Sequence, residues 1–160
     1  MKFTSAMIVV QDMEKSKNFY ENLLDQEIEV DLGANVSYEG FALQTLESWI
    51  DFIEITENDI NFLKNKNAEL YFEVDDYDAF IEKLNNYDDF EIEFVHETKE
   101  FPWRQRVIRF YDPDNHIVEV GESIEVVFKK FLSDGMSVED IAEMTDVPVE
   151  YLLDLKNKLI

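Results

Sequence analysis

The sequence predicts an α+β fold made of two βαβββ modules that pair around a shared cavity, followed by a C-terminal helical extension. Three observations point to it. A shift of 64 residues lays Val10-Gln11-Asp12-Met13 over Val74-Asp75-Asp76-Tyr77, the mark of an internal structural repeat. Each of these junctions stands between a β-prone run and a segment with apolar residues at helical spacing. Three further short runs of strand character follow each helix. The order strand, helix, three strands, given twice, calls for two sheets, each backed by one helix.

In the first module (about residues 1–47), Met7-Ile8-Val9-Val10 is the opening strand and Asp12 the expected N-cap, its carboxylate placed to accept from amide groups of the first turn. Ser16, Phe19, Tyr20, Leu23 and Leu24 then recur along one helical face, with Glu14, Lys15, Lys17 and Glu21 off it. Strands are expected over residues 27–31, 35–38 and 41–46. In the second module (about residues 67–121), the strand over residues 70–74 leads to Asp76 as cap, and Tyr77, Phe80, Ile81, Leu84 and Tyr87 form the buried stripe. Its later strands are expected over residues 91–95, 106–111 and 117–120. Residues 48–66 read as a linker with a short helix, or a strand, near residues 49–53.

The extension, residues 122–160, differs in kind. Val126, Val127, Phe128 and Phe131 begin a helix that ends near Gly135; Ser137 caps a second, with Asp140 in the capping-box position. A third runs from Pro148 to about Lys158. The run from Gly135 to Pro148 looks like the helix-turn-helix of DNA-binding modules. It contains no Lys or Arg, however, and seven acids lie between Asp134 and Asp154, so packing against the domain or a partner subunit is the expectation.

Composition excludes several functions. The 160 residues hold 37 acids against 14 Lys and Arg, a formal net charge of -23, which repels phosphate backbones and anionic lipid. Nucleic acid and membrane are therefore not expected partners. The absence of cysteine rules out disulfides, thiolate metal sites and thiol nucleophiles. The opening residues have neither a long apolar stretch nor a small-residue cleavage site, so the expected location is cytoplasmic.

The stretches Val10-Gln11-Asp12-Met13-Glu14-Lys15-Ser16-Lys17-Asn18-Phe19-Tyr20 and Asp112-Pro113-Asp114-Asn115-His116-Ile117-Val118-Glu119-Val120 resemble the signature stretches of the vicinal oxygen chelate superfamily, which holds glyoxalase I, extradiol dioxygenases and bleomycin-resistance proteins. The resemblance covers roughly residues 1–122. It implies a divalent metal in the cavity, held by first-strand and last-strand side chains of each module. Those positions are Ser5 and Gln44 in the first copy, and Glu69 and Glu119 in the second. The usual first-strand histidines are missing, and two carboxylates and an amide are oxygen donors suited to hard cations. The implied ligand set is Gln44, Glu69 and Glu119, with manganese, magnesium, nickel or zinc as the metal, or none.

The same resemblance implies that Glu119 and Glu69 are the catalytic carboxylates if the chain is a lyase or isomerase related to lactoylglutathione lyase. The alternative is a metal-free protein that binds a small molecule, as bleomycin-resistance members do; an acidic cavity favours a cationic ligand. The segment from Glu100 to Arg106 is similar to a proline-tryptophan-glycine-glutamine-arginine stretch of some members, with Arg104 in place of the glycine. Three of the basic residues fall in or just after it, at Arg104, Arg106 and Arg109. One of them paired with Glu69 or Glu119 would neutralise the carboxylates without a metal; alternatively it binds an anionic substrate group. Tyr71, Trp103 and Arg106 are the expected substrate contacts. His116, three residues from Glu119, is expected to be a structural turn residue on the opposite face, and His96 to lie at a loop rim. A homodimer is implied as well.

Overall fold

The computed structural model describes residues 1–64 and 66–159. The first module contains β1 (Ala6–Val10), α1 (Met13–Asn18, continuing as a π-helical turn over Phe19–Leu23), β2 (Val30–Asp31), β3 (Asn35–Tyr38) and β4 (Phe41–Thr45). The second contains β5 (Glu69–Val74), α3 (Tyr77–Asn85), β6 (Phe94–Glu100), β7 (Arg106–Tyr111) and β8 (Ile117–Glu122). Between them lie α2 (Leu46–Phe52) and a short turn of 3-10 helix, Glu57–Asp59. The sheets run β1-β4-β3-β2 and β5-β8-β7-β6, each with one parallel pair, β1 on β4 and β5 on β8.

Both predicted caps form. Asp12 accepts from the Lys15 amide at 3.0 Å and Asp76 from the Ala79 amide at 3.0 Å. The first helical stripe is wholly buried: Ser16, Phe19, Tyr20, Leu23 and Leu24 all face inward. The linker helix forms, beginning a few residues earlier than expected.

Two strands differ from expectation. In the first module residues 27–31 yield only the pair Val30–Asp31, opposite Ser37 and Val36. Alternating acids there sit on an exposed sheet edge, where charge discourages a longer ladder. In the second module the second strand forms at Phe94–Glu100 rather than residues 91–95. Pairing with β7 sets its place, through register shifts between Phe94 and His96 and between His96 and Lys99, which local hydrophobicity does not announce.

One apolar core serves both modules. Tyr20 of α1 packs on Tyr38 and Phe41 of the first sheet, with ring centroids 6.3 and 5.1 Å away. Phe19 meets Phe110 of the second sheet at 6.2 Å, and Tyr87 and Phe90 at 6.3 and 6.1 Å. Fully burying rings of this size contributes roughly 1.5–3 kcal/mol each, and the edge-to-face geometry of the Phe19 contacts adds to it. α1 lies against the helix-side faces of both sheets; the opposite face of each, here called the open face, carries exposed side chains such as Met7 and Tyr71 beside buried Gln44 and Glu119.

The extension forms α4 (Ile124–Ser133), α5 (Val138–Thr145) and α6 (Val149–Leu159) around its own core of Val127, Phe128, Phe131, Ile141 and Leu152. Ser123 and Ser137 cap α4 and α5. No described helix is long and apolar enough to cross a membrane.

Candidate functional site

Strand alternation sorts the second sheet into two faces. Leu70, Phe72 and Val74 of β5, Val118 and Val120 of β8, and Ile108 and Phe110 of β7 join the core. The open face therefore receives Glu69, Tyr71 and Glu73, with Glu119 and Gly121 beside them and Arg109 across the β7–β8 ladder from Glu119. His96 of β6 lies opposite Arg109.

Arg109 is the centre of this face. Its Nε donates to Glu69 Oε2 at 2.9 Å, and its Nη2 forms an ion pair with Glu119. Its Nη1 lies 3.2 Å from His96 Nε2, which accepts if His96 Nδ1 carries the ring proton toward the Glu97 carbonyl oxygen at 2.7 Å. The guanidinium also stands 5.9 Å from the Phe101 ring centroid. Glu119 is only 7% exposed, so this pairing supplies the countercharge a buried carboxylate requires.

Tyr71 and Trp103 are brought together through Gln105. The Trp103 ring stacks on Phe101 at 4.7 Å and its Nε1 donates to Gln105 Oε1 at 2.9 Å. Gln105 Nε2 donates to the Tyr71 hydroxyl at 2.9 Å, and that hydroxyl donates to Glu73 at 2.8 Å. Partial burial and the Glu73 hydrogen bond push the Tyr71 hydroxyl up to about 12, so at neutral pH it stays a donor.

Arg106 is a correction. It lies on the helix side of β7, where its Nε and Nη2 donate to Glu122 Oε1 at 3.0 and 2.8 Å and its Nη1 to Asp78 at 2.7 Å. Its guanidinium covers Tyr77 at 4.8 Å. Residues three apart on a strand face opposite ways, so Arg106 and Arg109 cannot share a face; the arginine on the open face is Arg109. Glu122, absent from the sequence-based set, is 1% exposed and also accepts from Lys130. Burial works to raise its pKa, but the hydrogen bonds from Arg106 and Lys130 outweigh it and hold the carboxyl below its ordinary range.

The first module's open face is neutral. Gln44, 2% exposed, accepts from Asn35 Nδ2 at 2.8 Å and donates to the Ser48 hydroxyl. Ser5 is exposed and donates to the Ala6 carbonyl oxygen. Among the described residues no hydrogen bond or ion pair joins Gln44 to Glu69 or Glu119. The implied metal set therefore does not fit as it stands: a guanidinium pairs with both carboxylates, and the amide oxygen of Gln44 is engaged by Asn35. Among the described residues no group of three or more His, Cys, Asp or Glu side chains is placed to hold a metal ion.

His116 lies in the β7–β8 turn, with its Nδ1 2.8 Å from Asp112 Oδ2. That oxygen also accepts the Tyr20 hydroxyl at 2.7 Å, while Asp112 Oδ1 takes the amides of Asp114 and His116. Asp114 in turn binds the Gln11 amide and the Ser16 hydroxyl of the first module. The turn thus joins the modules.

Against known proteins, the family model of the Glyoxalase-like domain matches residues 3–125. A solved protein of unknown function from Agrobacterium tumefaciens is 36% identical, with a TM-score of 0.69 over 78% of this chain and 95% of its own. The fosfomycin resistance protein FosX from Listeria monocytogenes is 17% identical, with a TM-score of 0.57 over 79% of this chain and 98% of its own. A glyoxalase/bleomycin resistance protein/dioxygenase from Nocardioides is 20% identical, with a TM-score of 0.53 over 76% and 83%. The latter two show the fold alone. No curated protein matches the sequence. The repeated βαβββ topology, the two signature stretches and the family match over residues 3–125 together establish that this chain belongs to the glyoxalase-like family of the vicinal oxygen chelate superfamily.

Proposed function

We propose that the chain is a small-molecule-binding protein that works without a metal, taking a cationic ligand on the open face of the second sheet. The observation that supports this reading best is Arg109 paired with both Glu69 and Glu119. The carboxylates that would ligate a metal are already neutralised in part by a fixed cation. Arg109 is one base among three acids, Glu69, Glu73 and Glu119, so the face keeps an excess of negative charge, in keeping with the whole chain at -23. Tyr71 and Trp103, 48% and 36% exposed, offer rings over which a cation gains roughly 0.5–2 kcal/mol.

On this reading the shared cavity is completed by a second copy of the chain. The open face carrying Gln44 and Met7 in one subunit covers the face carrying Glu69 and Glu119 in the other, which makes the protein a homodimer.

The deciding experiment is metal analysis of protein purified without chelator or affinity metal, followed by calorimetric titration with manganese, magnesium, nickel and zinc. A parallel thermal-shift screen uses small amines and matched carboxylates, phenethylamine against phenylpropionate among them. The expected result is no stoichiometric metal and stabilisation by amines alone. A structural neighbour, a Listeria monocytogenes FosX mutant, was solved with Mn(II). One tight equivalent of metal here, lost in Glu119→Gln, would overturn the proposal and leave a metal-assisted lyase or isomerase with Glu69 and Glu119 as the proton-moving carboxylates.

A further inference from the structure

All but the first few residues of the helical extension lie beyond the family match, which ends at residue 125, yet the extension reaches the turn that borders the open face. That turn, residues 101–105, is held at two points. At its end, the Arg106 amide donates to Glu122 Oε2 at 3.0 Å, and the same buried carboxylate accepts from Lys130 of α4. At its apex, Arg104 pairs with Asp134, the C-cap of α4, and its guanidinium stands 5.4 Å from the centroid of Phe131, a fully buried ring of the extension's core.

The backbone of Arg104 makes the second contact informative. Its φ is +61°, a left-handed conformation that glycine adopts at no steric cost and that a β-carbon disfavours. A long cationic side chain at such a position is explained by what it reaches, and it reaches the extension.

From the apex the contacts run inward. Trp103 bonds Gln105, and Gln105 Nε2 bonds both the Glu122 carbonyl oxygen at 2.8 Å and the Tyr71 hydroxyl at 2.9 Å. Gly121 leaves the room they need: a β-carbon there would lie 3.1 Å from Gln105 Nε2 and 3.3 Å from the Tyr71 ring.

We infer that the helical extension is a buttress that fixes the turn carrying Trp103 and Gln105, with Arg104 as the positioning residue, so that α4 sets where Trp103 and Tyr71 stand on the open face. The inference deepens the proposed binding site and rests on that reading for its functional meaning. Its structural content is independent of any ligand.

The test uses the full chain in a Trp49→Phe background, so that Trp103 is the sole tryptophan. Arg104→Gly removes the anchor and relieves the left-handed strain together, so the melting temperature is expected to hold or rise. Amide exchange over residues 101–106 is nevertheless expected to quicken by about tenfold, with a shift of Trp103 emission toward that of exposed indole. Asp134→Ala is expected to do the same, and Asp134→Glu to restore both readings. Unchanged exchange and emission in Arg104→Gly and Asp134→Ala would falsify the buttress. Phenethylamine titration of the same variants reads the site separately: no response in the wild type defeats the proposed function, while exchange and emission still decide the buttress.

Discussion

The two modules share one topology but not one chemistry. On their helix sides they are alike: Tyr20 on Tyr38 and Phe41 in the first, Phe80 on Phe110 in the second, merged into one core. On their open faces they part. The first presents Met7, Asn35 and Gln44, tied by neutral hydrogen bonds; the second presents Glu69, Glu119, Arg109 and His96, tied by charge. The helix side answers to packing, which tolerates only apolar volume of about the right size. The open side is released from that demand and free to carry a site.

The largest expected effect comes from breaking the charged face. Arg109→Ala leaves Glu119 buried without its partner, and stripping one member from a mostly buried pair costs about 3 kcal/mol. Urea denaturation at neutral pH measures it. The same variant uncovers two carboxylates, so a weak manganese equivalent is expected where the wild type has none. Arg109→Ala within 0.5 kcal/mol of wild type, a surface-like value, would show that the pairing on this face is solvent-screened and does not differ in kind from that of the first module.

Gln44→Leu is the matching cut in the neutral face. Asn35 loses its acceptor, while Ser48 keeps the Thr45 carbonyl oxygen at 3.1 Å. A cost of about 1 kcal/mol is expected, with no change in metal response. A loss as large as that of Arg109→Ala would erase the contrast between the faces.

Much of this was legible in the sequence. Asp12 and Asp76 as caps, the buried stripe from Ser16 to Leu24, and the strand over residues 106–111 follow from local spacing, and the structure has them all. The site was legible by position rather than by partner. Glu69 and Glu119 fall on one face by alternation, but their common partner depends on which arginine of β7 shares that face. The register of β7 on β8 settles that, with Val107 opposite Gly121 and Arg109 opposite Glu119. Counting three residues from Arg106 to Arg109 separates the two, but only the register says which is inside. Glu122 escaped notice because nothing local marks it: its partners Arg106 and Lys130 lie 16 and 8 residues away.

The smallest effect sharpens the comparison at the junction between the modules, where Asp112 accepts both Tyr20 from the first and His116 from the second. Burial alone would lower the His116 ionisation, but the hydrogen bond and charge of Asp112, with the nearby charge of Asp114, outweigh it and raise it above 6.5. A histidine whose folded value is raised binds its proton more tightly folded than unfolded. Its contribution is therefore complete below pH 6.5 and fades as pH climbs through the raised value. His116→Asn removes that dependence while leaving the Tyr20 hydroxyl on Asp112. The wild type is therefore expected to exceed the variant in stability by a margin that is greatest near pH 6 and shrinks toward pH 9. Denaturation midpoints of both proteins across that range read the difference directly. A margin that stays flat would mean that His116 acts only as a neutral donor to Asp112, and that the junction depends on hydrogen bonds alone, as the first module's open face does.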